Sequence, residues 1–199
     1  MHTFPRSRSD SRGFTLLELL LVVALSGVLA AIAVPMTNTA LDEIHTASAA
    51  RYLAGRIMST RMDAIRRSAA VALRFVASTP DYTFGAYVDG NGDGVRTADI
   101  AGGVDRPLAS PQHLQDQFPG VVFGLLAGVP DADGAAQGTS DGVRIGSARI
   151  LTMTPDGTAT SGTLYVRGRQ AQYAVRVLGA TGRTRVLKFD TGARTWNSR

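Results

Sequence analysis

Apolar positions run almost unbroken from Phe14 to Val34, with one carboxylate, Glu18, near the start. About twenty apolar residues in a row are long enough to cross the hydrocarbon of a bilayer as a helix. A single acid inside such a run is costly and marks a functional position. Beyond Pro35 the pattern changes to steps of three and four. Ile44, Ala47, Ala50, Ala54, Met58, Met62, Ile65 and Ala69 form the predicted apolar stripe. Asp42, His45, Thr46, Arg56, Ser59, Thr60, Asp63 and Arg67 form the predicted polar side, with His45 a solvated surface residue. The periodicity predicts one long helix from about Phe14 to about Ala70, with Pro35 removing a hydrogen bond and bending the rod.

From residue 71 the period shortens to two. Residues 71–76 alternate and stop before Pro80, and Tyr82 to Val88 reads as the hairpin partner. Further strands are predicted at 121–126, 143–145, 149–153, 163–167, 171–178 and 184–189, separated by Gly- and Asp-rich turns. Residues 89–120 and 127–142 read as loops. One long helix followed by short strands predicts an α+β fold, with the second half of the helix packed on one or two antiparallel sheets.

The 199 residues contain no cysteine, which removes disulfides and thiolate metal sites from consideration. The net charge of +5 is unevenly spread. Residues 75–161 carry ten Asp against four Arg, a net −6. Residues 162–199 carry seven Arg and Lys188 against Asp190, a net +7. An acidic middle thus precedes a basic end able to attract phosphate, an acidic partner or a membrane surface. Arg6, Arg8 and Arg12 flank the apolar run on one side and Asp42 and Glu43 on the other, which predicts a cytoplasmic N-terminus. A cleaved secretory signal is the rival reading, since Ala31-Ile32-Ala33 has the small-residue look of a cleavage site. The length of the run, Glu18 and the unbroken passage into a helical pattern speak against it.

Arg12-Gly13-Phe14-Thr15-Leu16-Leu17-Glu18 resembles the class III signal of type IV pilins and type II secretion pseudopilins. The resemblance implies a type IV pilin-like fold, cleavage after Gly13 by a prepilin peptidase, N-methylation of Phe14, and a role for Glu18 in pairing with a neighbouring subunit's N-terminal amine. Met153-Thr-Pro-Asp-Gly157, Gly162-Thr-Leu-Tyr-Val166, Tyr173-Ala-Val-Arg-Val177 and Thr181-Gly-Arg-Thr-Arg185 are similar to the C-terminal half of the GspH/FimT family of minor pseudopilins and minor pilins. This implies a basic leader at 1–13, a transmembrane and filament-core helix at 14–36, an amphipathic continuation at 37–70 and a periplasmic β domain at 71–199. It further implies a single-pass protein of the bacterial inner membrane, with other pilins or pseudopilins as partners in a filament.

Two stretches carry candidate binding chemistry. Asp89, Asn91 and Asp93, with Gly94 at the turn, fit the first half of an EF-hand-type calcium loop. Position twelve is Ile100 in place of Glu, so Asp99 or Asp105 would have to complete the ligand set. An Asp/Gly-rich surface turn is the plainer reading. Arg183 and Arg185 alternate onto one strand face, about 7 Å apart, near the spacing of DNA phosphates. Arg167, Arg169, Arg176, Lys188, Arg194 and Arg199 could widen that patch. The resemblance adds that a Gly-Arg-x-Arg element contacts DNA in the FimT branch, and 182–185 fits it. No phosphate-cradling loop, metal-spaced histidines or nucleophile elbow stands out, so an enzyme is not expected. The sequence therefore points to a structural pseudopilin of a type II secretion filament. A DNA-binding type IV minor pilin and a calcium-binding, membrane-anchored adhesion module are the alternatives.

Overall fold

The computed structural model describes residues 14–79, 81–134 and 140–198, without the side chains of residues 34 and 35. Gly13 and Arg199 lie outside these residues, as does the Pro35 side chain invoked for the bend. A single helix, α1, spans Leu16–Arg67. The chain divides into two compact units, residues 1–39 and 40–199.

In the first unit, the described part is helical from Leu16 onward. Thr15 caps it: its hydroxyl oxygen accepts the Glu18 amide at 3.2 Å. This satisfies one of the amide donors that every helix start leaves unpaired. The large apolar side chains from Phe14 to Ile32 are all exposed. Ser26 and Thr37 return their hydroxyls to the carbonyls of Val22 and Ala33, so neither presents an unsatisfied polar group.

The second unit is built on two antiparallel sheets. In the first, β1 (Val71–Ala77) pairs with β2 (Tyr82–Val88) in the register Val71↔Val88 to Ala77↔Tyr82. After α2 (Thr97–Ala101), β3 (Arg106–Pro107) and β4 (Gln112–His113) extend β2. In the second sheet, β5 (Val122–Phe123) and β6 (Val143–Arg144) both pair with β8 (Gly162–Arg167). β9 (Gln172–Leu178), β10 (Arg183–Asp190) and β11 (Thr195–Ser198) follow as a meander. The remaining strand, β7 (Ile150–Met153), closes the far side of the first sheet against β1.

Alternation along the strands puts Val71, Leu73 and Phe75 of one sheet, and Leu164, Val166, Val175 and Val177 of the other, into one core with α1. The buried helix face consists of Thr46, Ala47, Ala49, Ala50, Leu53, Ile57, Thr60 and Ala64. This corrects the phase of the predicted stripe. Ala47 and Ala50 are inside, but Ile44, Met58, Met62 and Ile65 are exposed, and the threonines assigned to the polar side are buried. Each threonine hydroxyl donates to the carbonyl four residues earlier, Asp42 and Arg56, which removes the cost of burying it. Small side chains on either side of Leu53 and Ile57 let the helix approach the sheets closely, while Ile44, Met58, Met62 and Ile65 stay outside. His45, expected in solvent, is half-buried with Nδ1 3.4 Å from the Pro119 carbonyl oxygen.

Other departures have local causes. The predicted strand 121–126 shrinks to two residues, because Gln172 draws the chain off the ladder. Its buried amide oxygen accepts the Leu126 N–H and its amide nitrogen donates to the Gly124 carbonyl. Within 89–120, expected as loop, lie α2, β3 and β4. The final strand β11 has one large apolar residue, Trp196, too little alternation to signal a strand.

Two carboxylates of α1 fasten the second sheet. Asp42 accepts three backbone amides of the β8–β9 turn, from Arg169, Gln170 and Ala171, at 2.7–3.0 Å. Glu43 accepts the Tyr173 hydroxyl and pairs with Lys188 at 2.6 Å. Gly168 is required beside them, since a Cβ there would collide with Asp42 and Thr46.

Candidate functional site

Three surfaces bear on function. The first is the N-terminal stretch. Phe14 and Thr15 precede the first helical turn, and Glu18 lies within that turn with its side chain exposed. Gly13, the expected cleavage position, falls outside the described residues. Thr15-Leu16-Leu17-Glu18 is also a capping-box sequence, so part of what the signal encodes is an ordinary helix start. The cap uses only the Glu18 backbone amide. α1 is long and apolar enough to cross a membrane, and its most apolar stretch buries nothing within the structure.

The second surface, within the second unit, is the outward face of α1. Leu41, Ile44, Ser48, Arg51, Gly55, Met58, Met62 and Ile65 recur at alternating steps of three and four. That is the heptad spacing of a helix–helix seam. Ile44 is 57% exposed, Met58 46% and Met62 47%. Of this row, Ile44, Met58, Met62 and Ile65 were expected in the apolar stripe packed on the sheets. Spacing alone does not separate the two faces, since the buried row Thr46, Ala50, Leu53, Ile57, Thr60 and Ala64 alternates in the same way; side-chain size is the signal that differs.

The third surface is the outer face of the second sheet, away from α1. Arg183 and Arg185 share this face as expected, are exposed, and have no ion pair among the described residues. Gly182 before them is structural. It closes the β9–β10 turn at φ +59°, and a Cβ there would meet the Gly157 carbonyl and the Arg61 side chain. The widening of the patch follows strand parity. Lys188 belongs to the opposite face, bound to Glu43. Arg194 donates to the Gly128 carbonyl at 3.2 Å. Arg176, directly opposite Arg185 across β9 and β10, does join.

So does Arg144, which the sequence did not suggest: it faces Thr163 in register, and Thr163 faces Arg176. Asp131 takes the Arg144 guanidinium and the Tyr165 hydroxyl, and Asp133 pairs with Arg176. A cleft of about 370 Å³ opens among Asp131, Asp133, Arg144, Tyr165 and Arg176. Burial first, and then the hydrogen bond to Asp131, push the Tyr165 hydroxyl up to about 12.

The Asp/Gly loop at 89–105 is organised by its own amides. Asp89 accepts the N–H groups of Asn91, Gly92 and Gly94, and Asn91 accepts that of Asp93. Asp93 pairs with Arg96 at 3.0 Å. Buried Asp105 accepts the amides of Gly90 and Arg96. Asp99 sits in α2, where its backbone carbonyl accepts the Val104 and Asp105 amides. Among the described residues no group of three or more His, Cys, Asp or Glu gathers around a point that could hold a metal ion.

Comparison with known proteins agrees with the first surface. Residues 8–34 match the family described as the prokaryotic N-terminal methylation motif. Over 66 residues the chain is 47% identical to a pilin-like protein, PilA1, of Thermus thermophilus; the match covers 32% of this chain and 39% of that relative. No solved structure matches.

Proposed function

From a type IV pilin-like chain with a prepilin N-terminal motif, we propose a minor pseudopilin of the GspH/FimT type, a structural subunit of a type II secretion filament. In this reading the chain is held in the bacterial inner membrane with its N-terminus cytoplasmic and residues 71–199 periplasmic. A prepilin peptidase cleaves after Gly13, Phe14 is methylated, and α1 then carries the subunit into the filament. The observation that carries the proposal is Glu18: an exposed carboxylate in the first turn of α1, the one charged residue of a stretch whose large apolar side chains from Phe14 to Ile32 are all exposed. In a low-dielectric surrounding such a group requires a cationic partner, and loss of that partner leaves an expensive uncompensated charge. The new amine of a neighbouring subunit's Phe14 meets the requirement. The exposed seam from Leu41 to Ile65 supports packing against other helices.

Mass spectrometry of the native N-terminus tests this. Methylated Phe14 is the expected result; a chain beginning after Ala33 would overturn it.

A second reading, a minor pilin that binds DNA, is favoured by the exposed, same-face pair Arg183 and Arg185. It requires salt-sensitive DNA binding that is lost in Arg183→Gln/Arg185→Gln. Binding unchanged in that variant removes it.

A further inference from the structure

Arg176 and Arg185 are register partners on neighbouring antiparallel strands. Their Cβ atoms are therefore about 5 Å apart on one face, an arrangement that is destabilising for like charges unless an anion lies between or beside them. Asp133 supplies one negative charge, to Arg176. Arg185 and Arg183 remain without an ion pair among the described residues.

The two aspartates differ in how they are held. Asp131 is 18% exposed and fixed by Arg144, the Tyr165 hydroxyl and the turn it begins. Asp133 is 70% exposed and joined to the sheet through Arg176. An ion pair of that exposure is weak and exchanges readily.

We infer that Arg176 and Arg185 form a clamp for a carboxylate side chain of an acidic partner segment, with Asp133 as a displaceable internal occupant. Two observations choose a carboxylate over a nucleic-acid backbone. The groups already seated on the arginine row are aspartates, so the sheet accepts carboxylates carried by a peptide. Asp131, moreover, stays fixed beside the cleft and repels a continuous line of phosphates, while a single acidic side chain need displace only Asp133. The clamp does not rest on the secretion reading; it shares Arg176 and Arg185 with the basic patch of the DNA reading, and Asp133 is what it adds.

The test uses the full chain in detergent micelles and two labelled probes, a tetra-aspartate peptide and an oligothymidylate, followed by fluorescence anisotropy at low salt. Asp133→Asn should tighten tetra-aspartate binding about two- to fivefold, the scale of one exposed ion pair. Arg185→Gln should weaken it by at least as much, with the unfolding midpoint unchanged because Arg185 is exposed. Tetra-aspartate affinity that is undetectable or indifferent to both substitutions overturns the clamp. Tighter binding of oligothymidylate than of the peptide, enhanced by Asp133→Asn, overturns the choice of carboxylate.

Discussion

The Asp42 carboxylate accepts the backbone amide of Arg169 at 2.7 Å, and those of Gln170 and Ala171 beside it. One side chain of α1 thus satisfies three donors of a turn 127 residues and more along the chain. Asp42→Ala should destabilise the protein by about 2 kcal/mol, the range for hydrogen bonds to a charged group. For a chain of this size that corresponds to a fall in Tm of about 4–8 °C. Thermal unfolding of the full chain in micelles checks it; a change below 1 °C, about the error of such a measurement, would place the tether elsewhere.

The same tether sets an acid limit. Burial alone would raise the Asp42 carboxyl, but the three amides and the Arg169 charge outweigh it and hold it below the ordinary value. Asp89 is likewise raised by burial and lowered further by its amide donors. In Asp131 and Asp141 the burial effect is overcome chiefly by the hydrogen bonds from Tyr165 and Arg149. Carboxyls depressed in the folded state stabilise it above their unfolded pKa, about 4, and this is lost as pH falls through the folded values. Tm should therefore stay level from neutral pH to about 5 and fall below about 4. Asp42→Ala should show a shallower acid decline than the parent. An identical decline would exclude Asp42 as a contributor.

Gly182→Ala separates architecture from binding in the Gly-Arg-x-Arg element. The new Cβ would need a left-handed backbone and would press on the Gly157 carbonyl and Arg61. A loss of about 1–3 kcal/mol is expected, whereas Arg183→Gln and Arg185→Gln should stay within about 0.5 kcal/mol. Equal effects from all three would contradict the division of roles.

Glu18→Ala should leave membrane insertion intact, because it makes the span more apolar. Incorporation into filaments should fall sharply. Membrane fractionation and filament purification read the two separately; normal incorporation removes the pairing role.

Met58→Glu or Met62→Glu should leave Tm within about 1 °C, since both side chains face outward, yet reduce co-purification with other filament subunits. A large Tm loss with normal co-purification would make the stripe part of the protein's own core after all.

Legibility from sequence followed the range of the signal. The strand pair Tyr82–Val88 with Val71–Ala77 was readable because alternation and the intervening turn are local. Glu18 was readable because an acid in an apolar run is anomalous whatever surrounds it. The expected calcium ligands were legible as a spacing only, and spacing is silent on whether oxygens turn to a common centre or, as with Asp89, to their own amides. The Asp133–Arg176 pair left no trace in the order of residues, because it joins a loop to a strand 43 residues away.

The sequence by itself determined an apolar helix with one acid near its start, and the α+β class, since both rest on periodicity within a few neighbouring residues. Only the tertiary structure decided which face of α1 is inside. Both faces carry apolar residues; the inner one sets four alanines and two threonines around Leu53 and Ile57, small enough overall for close approach to two sheets. Tertiary structure also decided which arginines share a surface. Strand parity sends Lys188 to the helix side and Arg185 to the outer face, and cross-strand register sets Arg176 opposite it.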